Sequence, residues 1–121
     1  MVEWNKVGRP DSEEIVSRKK DLFALKKAFQ ETVEAVTDLC AMFLADTGRE
    51  VADDASNIQK CAGKFYSEYL EGRLLEANGL RNRVVHDYNG FNERRGVESI
   101  KEVREVIEEF KKEVEEWIRE R

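Results

Sequence analysis

Along residues 15–44, apolar side chains recur every three, four or seven positions, which places them on one stripe of a long helix. Asp11 and Ser12, which follow the lone proline, are typical helix start signals, and Gly48 is typical of a helix end. The pattern therefore predicts a long amphipathic helix that turns one face to a core. The stripe consists of Ile15, Leu22, Leu25, Phe29, Val33, Val36, Cys40 and Phe43.

A second helix is predicted after the polar segment that follows residue 44. Asp53, Asp54 or Ser56 could cap its first turn. We expect this helix to run to Asn78 and Gly79, where the pair suggests a bend or a C-cap. Its apolar residues are Ile58, Phe65, Tyr69 and Leu70.

The last helix has the most regular spacing of apolar residues in the chain. Ser99 and Glu102 have the form of a capping box at its start, although Asn92 could begin it earlier. No segment alternates with a period of two for long enough to propose a strand. The pattern predicts an all-α helical bundle. The apolar positions of this helix are Val97, Ile100, Val103, Ile107, Phe110, Val114 and Trp117.

The composition agrees with one helical domain. The chain has 121 residues, with one proline and seven glycines, too few for a loop-rich β sandwich or barrel. We predict a tail over residues 1–10 and a single domain over residues 11–121. No apolar run approaches the roughly 18–20 residues that cross a bilayer, so no membrane partner is expected. The charged N-terminus does not look like a signal peptide, and Cys40 and Cys61 alone cannot make a disulfide scaffold, so we expect a cytoplasmic protein. Both cysteines are predicted core residues.

The apolar stripes are too long for so small a monomer to bury completely. A short first segment that completes a four-helix bundle would be one solution. A homodimer that buries the excess would be the other, and the length of the stripes favours it.

The charge is distributed unevenly along the chain. The net charge is −5, which by itself disfavours a nucleic-acid partner. Residues 79–96, however, carry four arginines against two acidic residues, whereas residues 97–121 have a net charge of −3. This basic island, with Arg81, Arg83, Arg94 and Arg95, is where a nucleic-acid backbone could bind.

The same island holds the only histidine, His86. A histidine can give or take a proton near neutral pH, and an arginine presents a planar fork that matches phosphate oxygens. Together His86 and Arg81 are the minimum set for cleaving a phosphodiester without a metal, and no metal-ligand constellation is visible in the sequence. In one straight helix the two side chains would lie about 140° apart. They could converge through a bend near Gly79 or across a dimer interface.

Residues 80–90, L-R-N-R-V-V-H-D-Y-N-G, closely resemble the signature of HepT-like proteins of the HEPN superfamily. The family motif R-x-x-x-x-H-x-Y is met by Arg81, His86 and Tyr88, and Asn82 stands in the usual polar place after the arginine. The segment at residues 26–40 looks like the second helix of that family.

The resemblance implies an antiparallel four-helix bundle, its first helix short or fused to the second, that forms a homodimer. It also implies a metal-independent ribonuclease with no cofactor, which acts as a toxin beside an MntA-type nucleotidyltransferase antitoxin. Arg81 and His86 would be catalytic, Asn82 and Arg83 would position the RNA, and Tyr88 would accept AMP from the antitoxin. The alternative is a non-catalytic helical partner of a minimal nucleotidyltransferase, which would need no arginine–histidine pair.

Overall fold

Four α-helices make up most of the chain that the structure describes. It is a computed structural model that describes residues 19–86 and 93–120, with the side chains of residues 20–85 and 94–120. This part of the chain contains no β-strand, so the all-α prediction is confirmed. The expectations for residues 1–18 lie outside the described residues. The helices are α1 (Lys19–Asp46), α2 (Asp54–Cys61), α3 (Glu71–His86) and α4 (Glu93–Glu120), and a 3₁₀ turn (Glu68–Leu70) leads into α3.

The core forms because the apolar stripes of the helices meet around α3, which contacts α1, α2 and α4. On the predicted stripe of α1, every residue from Leu22 to Phe43 is buried, while Ile15 lies outside the described residues. The stripe of α4 is buried as predicted, with Trp117 partly buried at its end. Cys40 and Cys61 are both core residues, as expected. None of the helices in the described residues has the length and apolar character needed to cross a membrane.

An aromatic cluster closes the end of the bundle where α1, α4 and the α2–α3 connection meet. The Phe43 and Phe65 rings stack with their centroids 4.7 Å apart, and the Trp117 ring packs edge-on against Phe65 at 5.4 Å. The buried Tyr66 hydroxyl donates a hydrogen bond to the carbonyl of Ile58, and burial raises the pKa of Tyr66. Aromatic pairs of this geometry add to the free energy gained from their buried area.

The segment predicted as one helix up to residue 78 is divided in the structure. Helix α2 ends at Cys61, and Gly63 adopts a φ of 80°, which only glycine adopts without strain. Its amide donates a hydrogen bond to the carbonyl of Tyr66 at 2.8 Å. This turn changes the helical register, so Tyr66 is buried and Tyr69, a predicted core residue, is 72% exposed.

Two further predicted helix boundaries are wrong. Helix α3 continues through Asn78 and Gly79 to His86, so no C-cap occurs at this pair. Helix α4 begins at Glu93, which places Ser99 inside the helix and excludes the capping box there. The alternative start at Asn92 involves a residue outside the described ones.

The start of α3 is anchored by a carboxylate from α4. The Glu113 Oε1 atom accepts a hydrogen bond from the backbone amide of Ser67 at 2.7 Å, and Oε2 accepts one from the Ser67 hydroxyl at 3.2 Å. A negative charge at this position also compensates the positive end of the helix dipole. The α4 helix therefore holds the residue that precedes the 3₁₀ turn leading into α3, and the other end of α3 carries the residues of the predicted site.

Substitution by alanine should have opposite effects on stability at Gly79 and at Gly63. We expect Gly79→Ala to raise the free energy of unfolding by about 0.5–1 kcal/mol, because Gly79 lies in a helix and no atom within 4 Å meets an added Cβ. Gly63→Ala should lower it by about 1–2 kcal/mol, because its φ is positive and its Cβ would lie 3.2 Å from a Glu68 carboxylate oxygen. Urea unfolding followed by circular dichroism measures both changes. A destabilising Gly79→Ala would show that the backbone needs a bend at this position.

Candidate active site

Arg81 lies where α3 meets α1 and α2, and its side chain is 21% exposed. Its Nη2 atom donates a hydrogen bond to Glu34 Oε1 at 3.0 Å. Its Nη1 atom lies 3.8 Å from Asp54 Oδ2 and donates a hydrogen bond to Asn82 Oδ1 at 3.2 Å. The outer edge of the guanidinium is thus occupied by two carboxylates and one amide.

The connection between α1 and α2 fixes the position of Asp54. Asp53 is the N-cap of α2, as predicted: its Oδ1 atom accepts a hydrogen bond from the Ser56 amide at 2.8 Å, which lowers the pKa of Asp53. The buried Asn57 side chain accepts from the backbone amide of Ala52 at 2.7 Å and donates to its carbonyl at 3.0 Å. These bonds hold the first turn of α2, which begins with Asp54, against the end of α3.

The carboxylate partners of Arg81, Glu34 and Asp54, are half exposed to solvent. The Glu34 and Asp54 side chains are each 48% exposed, so water and salt screen their attraction to the guanidinium. Ion pairs of this kind contribute about 0–1 kcal/mol to stability.

The Nε atom of Arg81 has a different environment from its two Nη atoms. The Nε atom is buried, and it has no hydrogen-bond partner among the described residues. One turn earlier on α3, the Oδ1 atom of Asn78 is also buried and unpaired. The guanidinium therefore presents only its Nη edge to solvent.

The other predicted site residues are only partly brought together with Arg81. Asn82 contacts it directly, whereas Arg83 lines a shallow surface pocket between α3 and α4. His86 is the last residue of α3, five positions after Arg81, but its side chain is not among those described. Tyr88 lies outside the described residues.

The sequence patterns missed the acidic partners of Arg81. Glu34 follows the buried Val33 on α1, and the sequence pattern predicts only an ordinary exposed helix residue at this position. The sequence offered Asp54 for helix capping and Asn78 for a bend or a C-cap. Glu34 and Asp54 precede Arg81 by 47 and 27 positions, and no sequence pattern links residues so far apart. Only the packing of the helices could identify them as partners of Arg81.

The buried Cys40 is not a candidate for a nucleophile. The Sγ atom of Cys61 lies 3.5 Å from the carbonyl oxygen of Cys40 and donates a hydrogen bond to it. A hydrogen bond from Cys61 and burial raise the pKa of Cys40, so this thiol stays protonated at neutral pH. Arg81 thus remains the described residue with the clearest chemical role.

Comparison with known proteins identifies related sequences. The family model described as "Ribonuclease HepT-like" matches residues 3–114. A protein of Archaeoglobus fulgidus named "Putative RNase" is 37% identical over 86 residues, which cover 69% of this chain and 64% of that protein. A second protein of the same organism and the same name is 40% identical over 67 residues, 54% of this chain and 51% of its own length. The chain therefore spans about half to two thirds of these relatives. No solved structure matches it.

Proposed function

The chain belongs to the ribonuclease HepT-like family, and from this premise we propose that it is an RNA endonuclease with Arg81 and His86 as its catalytic residues. Two kinds of observation support the proposal. The relatives are named for ribonuclease activity, and the family motif is intact in residues 81–88. The geometry of Arg81 supplies the physical argument.

The Nη edge of Arg81 is the observation that carries the proposal. It already holds oxygen atoms of two carboxylates, at 3.0 Å and 3.8 Å, and phosphate oxygens are acceptors of the same kind. The same guanidinium fork recognises carboxylates and phosphates, because both present two acceptor oxygens in a plane. An RNA phosphate would displace Glu34 and Asp54 and take their place.

The proposed reaction is an attack of the RNA 2′-OH on the adjacent phosphorus. The P–O5′ bond breaks, and the products are a 2′,3′-cyclic phosphate and a free 5′-OH. His86 moves the proton as general acid or base, and Arg81 stabilises the charge on the phosphorane oxygens. Asn82 orients the guanidinium through its hydrogen bond to Nη1, and Arg83 binds a neighbouring phosphate of the strand. The reaction needs no metal ion.

We expect Arg81→Ala and His86→Ala each to lower RNA cleavage by on the order of 10²–10⁴-fold, the usual scale for a lost catalytic group. Arg81→Lys should recover only part of the activity, because lysine lacks the fork. The measurement is cleavage of labelled RNA with a chelator present, followed by analysis of the product ends.

Arg119→Ala is the matched control, because Arg119 is an exposed arginine in the last turn of α4. It should cleave at the parental rate. A parent that requires magnesium or leaves 5′-phosphate ends would contradict the mechanism. Alanine variants as fast as the parent would favour the alternative, a non-catalytic partner of a nucleotidyltransferase.

The proposed site also requires a homodimer. Helix α3 is continuous from Glu71 to His86, and its geometry separates Arg81 and His86 by about 140° around the axis. A bend at Gly79 would not change this angle, because Gly79 precedes both residues. We infer that Arg81 of one chain acts with His86 of the second chain across a two-fold axis.

Mixing of two inactive chains tests this arrangement. Arg81→Ala and His86→Ala chains, unfolded and refolded together, would form mixed dimers that each contain one complete site. Random pairing predicts about a quarter of the parental activity. Light scattering checks the mass of the mixture. Dimers without recovered activity would place both residues in one chain, and a monomeric parent would exclude the shared site.

Control of the nuclease is the last part of the proposal. An MntA-type nucleotidyltransferase antitoxin would transfer AMP to the hydroxyl of Tyr88, seven residues from Arg81 and on the same helical face if α3 continued. The new phosphate would pair with the Arg81 guanidinium and occupy the place of the RNA phosphate. The toxin would thus be silenced without unfolding.

We expect Tyr88→Phe to keep nuclease activity and to escape this silencing, because it lacks the acceptor hydroxyl. The protein is expressed together with the nucleotidyltransferase, and its intact mass is measured. The parent should gain AMP and Tyr88→Phe should not. Neutralisation of the parent without a change in mass would show that the antitoxin acts by binding alone.

A further inference from the structure

Two complementary polar atoms are buried without partners on the inner side of α3. Within the described residues, Asn78 Oδ1 and Arg81 Nε have no hydrogen-bond partner, and less than 1 Å² of either atom is accessible. The two residues are three apart and so lie on neighbouring parts of the same helix face. One atom accepts a hydrogen bond and the other carries an N–H that donates one.

Asn78 differs from the other deeply buried asparagine of the described chain. Asn57 uses both atoms of its amide on the backbone of Ala52, and this pairing explains why it is buried. Asn78 is only 6% exposed, yet its carbonyl oxygen has no hydrogen-bond partner among the residues that the structure describes. Buried polar groups in native proteins are nearly always paired, so an unpaired acceptor beside an unpaired donor points to a second arrangement in which they meet.

We propose that Asn78 is a positioning residue for Arg81, whose Nε–H donates a hydrogen bond to Asn78 Oδ1 when the guanidinium turns from Glu34 and Asp54 to an RNA phosphate. The inference rests on the proposed function. In the resting arrangement the two half-exposed carboxylates hold the Nη atoms. When phosphate replaces them, the side chain rotates so that Nε–H donates to Asn78 Oδ1. The new bond fixes the plane of the guanidinium against the phosphorane.

The first experiment compares Asn78→Leu with the parent, because leucine has a similar branched shape but no acceptor. We expect kcat to fall by on the order of tenfold, the scale of a displaced catalytic group, with KM nearly unchanged. Thr32→Val is the matched control: Thr32 is also buried, and its hydroxyl bonds only to the Ala28 carbonyl on α1. It should lower stability without changing kcat.

A double-mutant cycle separates positioning from general structural damage. In an Arg81→Lys background, Asn78→Leu should cause no further loss of kcat, because lysine has no Nε–H of this geometry. An equal loss in both backgrounds would show that Asn78 acts on the fold and not through Arg81, and would overturn the proposal. An unchanged kcat for Asn78→Leu in the parent would overturn it as well.

A measurement independent of cleavage distinguishes this inference from the proposed function. The Nε–H signal of Arg81 is followed by NMR while the protein is titrated with inorganic phosphate or with a 2′-O-methyl RNA oligonucleotide, which cannot be cleaved. The parent signal should shift and become protected from exchange with water, and Asn78→Leu should lose both effects. Should the parent fail to cleave RNA, the phosphate titration still tests the contact. A parent signal that neither ligand changes would exclude it.

Discussion

The site depends on the burial of α3 among the other three helices. Leu74, Ala77, Leu80 and Val84 are all at least 92% buried along this helix. Helix α3 packs one face against α1, α2 and α4, and a charged side chain at the edge of that face must keep its charge paired or hydrated while its stem is buried. Arg81 resolves this conflict by burying its stem and Nε atom while its Nη atoms reach half-exposed carboxylates.

Anchors outside the site maintain this arrangement. Glu113 of α4 holds the start of α3, and the cap of α2 holds Asp54 beside its end. A long side chain such as arginine loses rotational entropy when a ligand holds it in place. Glu34 and Asp54 already restrict Arg81, so part of this entropy is lost before any ligand binds. In the proposed function, a bound phosphate would replace these carboxylate oxygen atoms as the partner of the guanidinium. The packing of the bundle therefore holds Arg81 in a position that suits the proposed phosphate contact.

The sequence predicted the fold class and the long stripes of α1 and α4 because both helices are strongly amphipathic. Its errors fell on α2 and α3, where the pattern is short or weak. The positive φ of Gly63 breaks the helical register, so Tyr66 is buried in place of Tyr69. The Asn78–Gly79 pair predicted a helix end, but burial of Asn78 and the neighbouring apolar residues outweighs the low helix propensity of the pair.

The sequence by itself determined that residues 81–88 carry the family motif and that a helical bundle presents it. This information is local, because a motif and an apolar period are read from residues close together in the chain. Only the tertiary structure decided what Arg81 contacts. Glu34 and Asp54 are separated from it by 47 and 27 positions, and Asn78 is distinguished from a turn residue only by its burial. Their roles arise from helix packing, a sum of many weak contacts that no short pattern encodes.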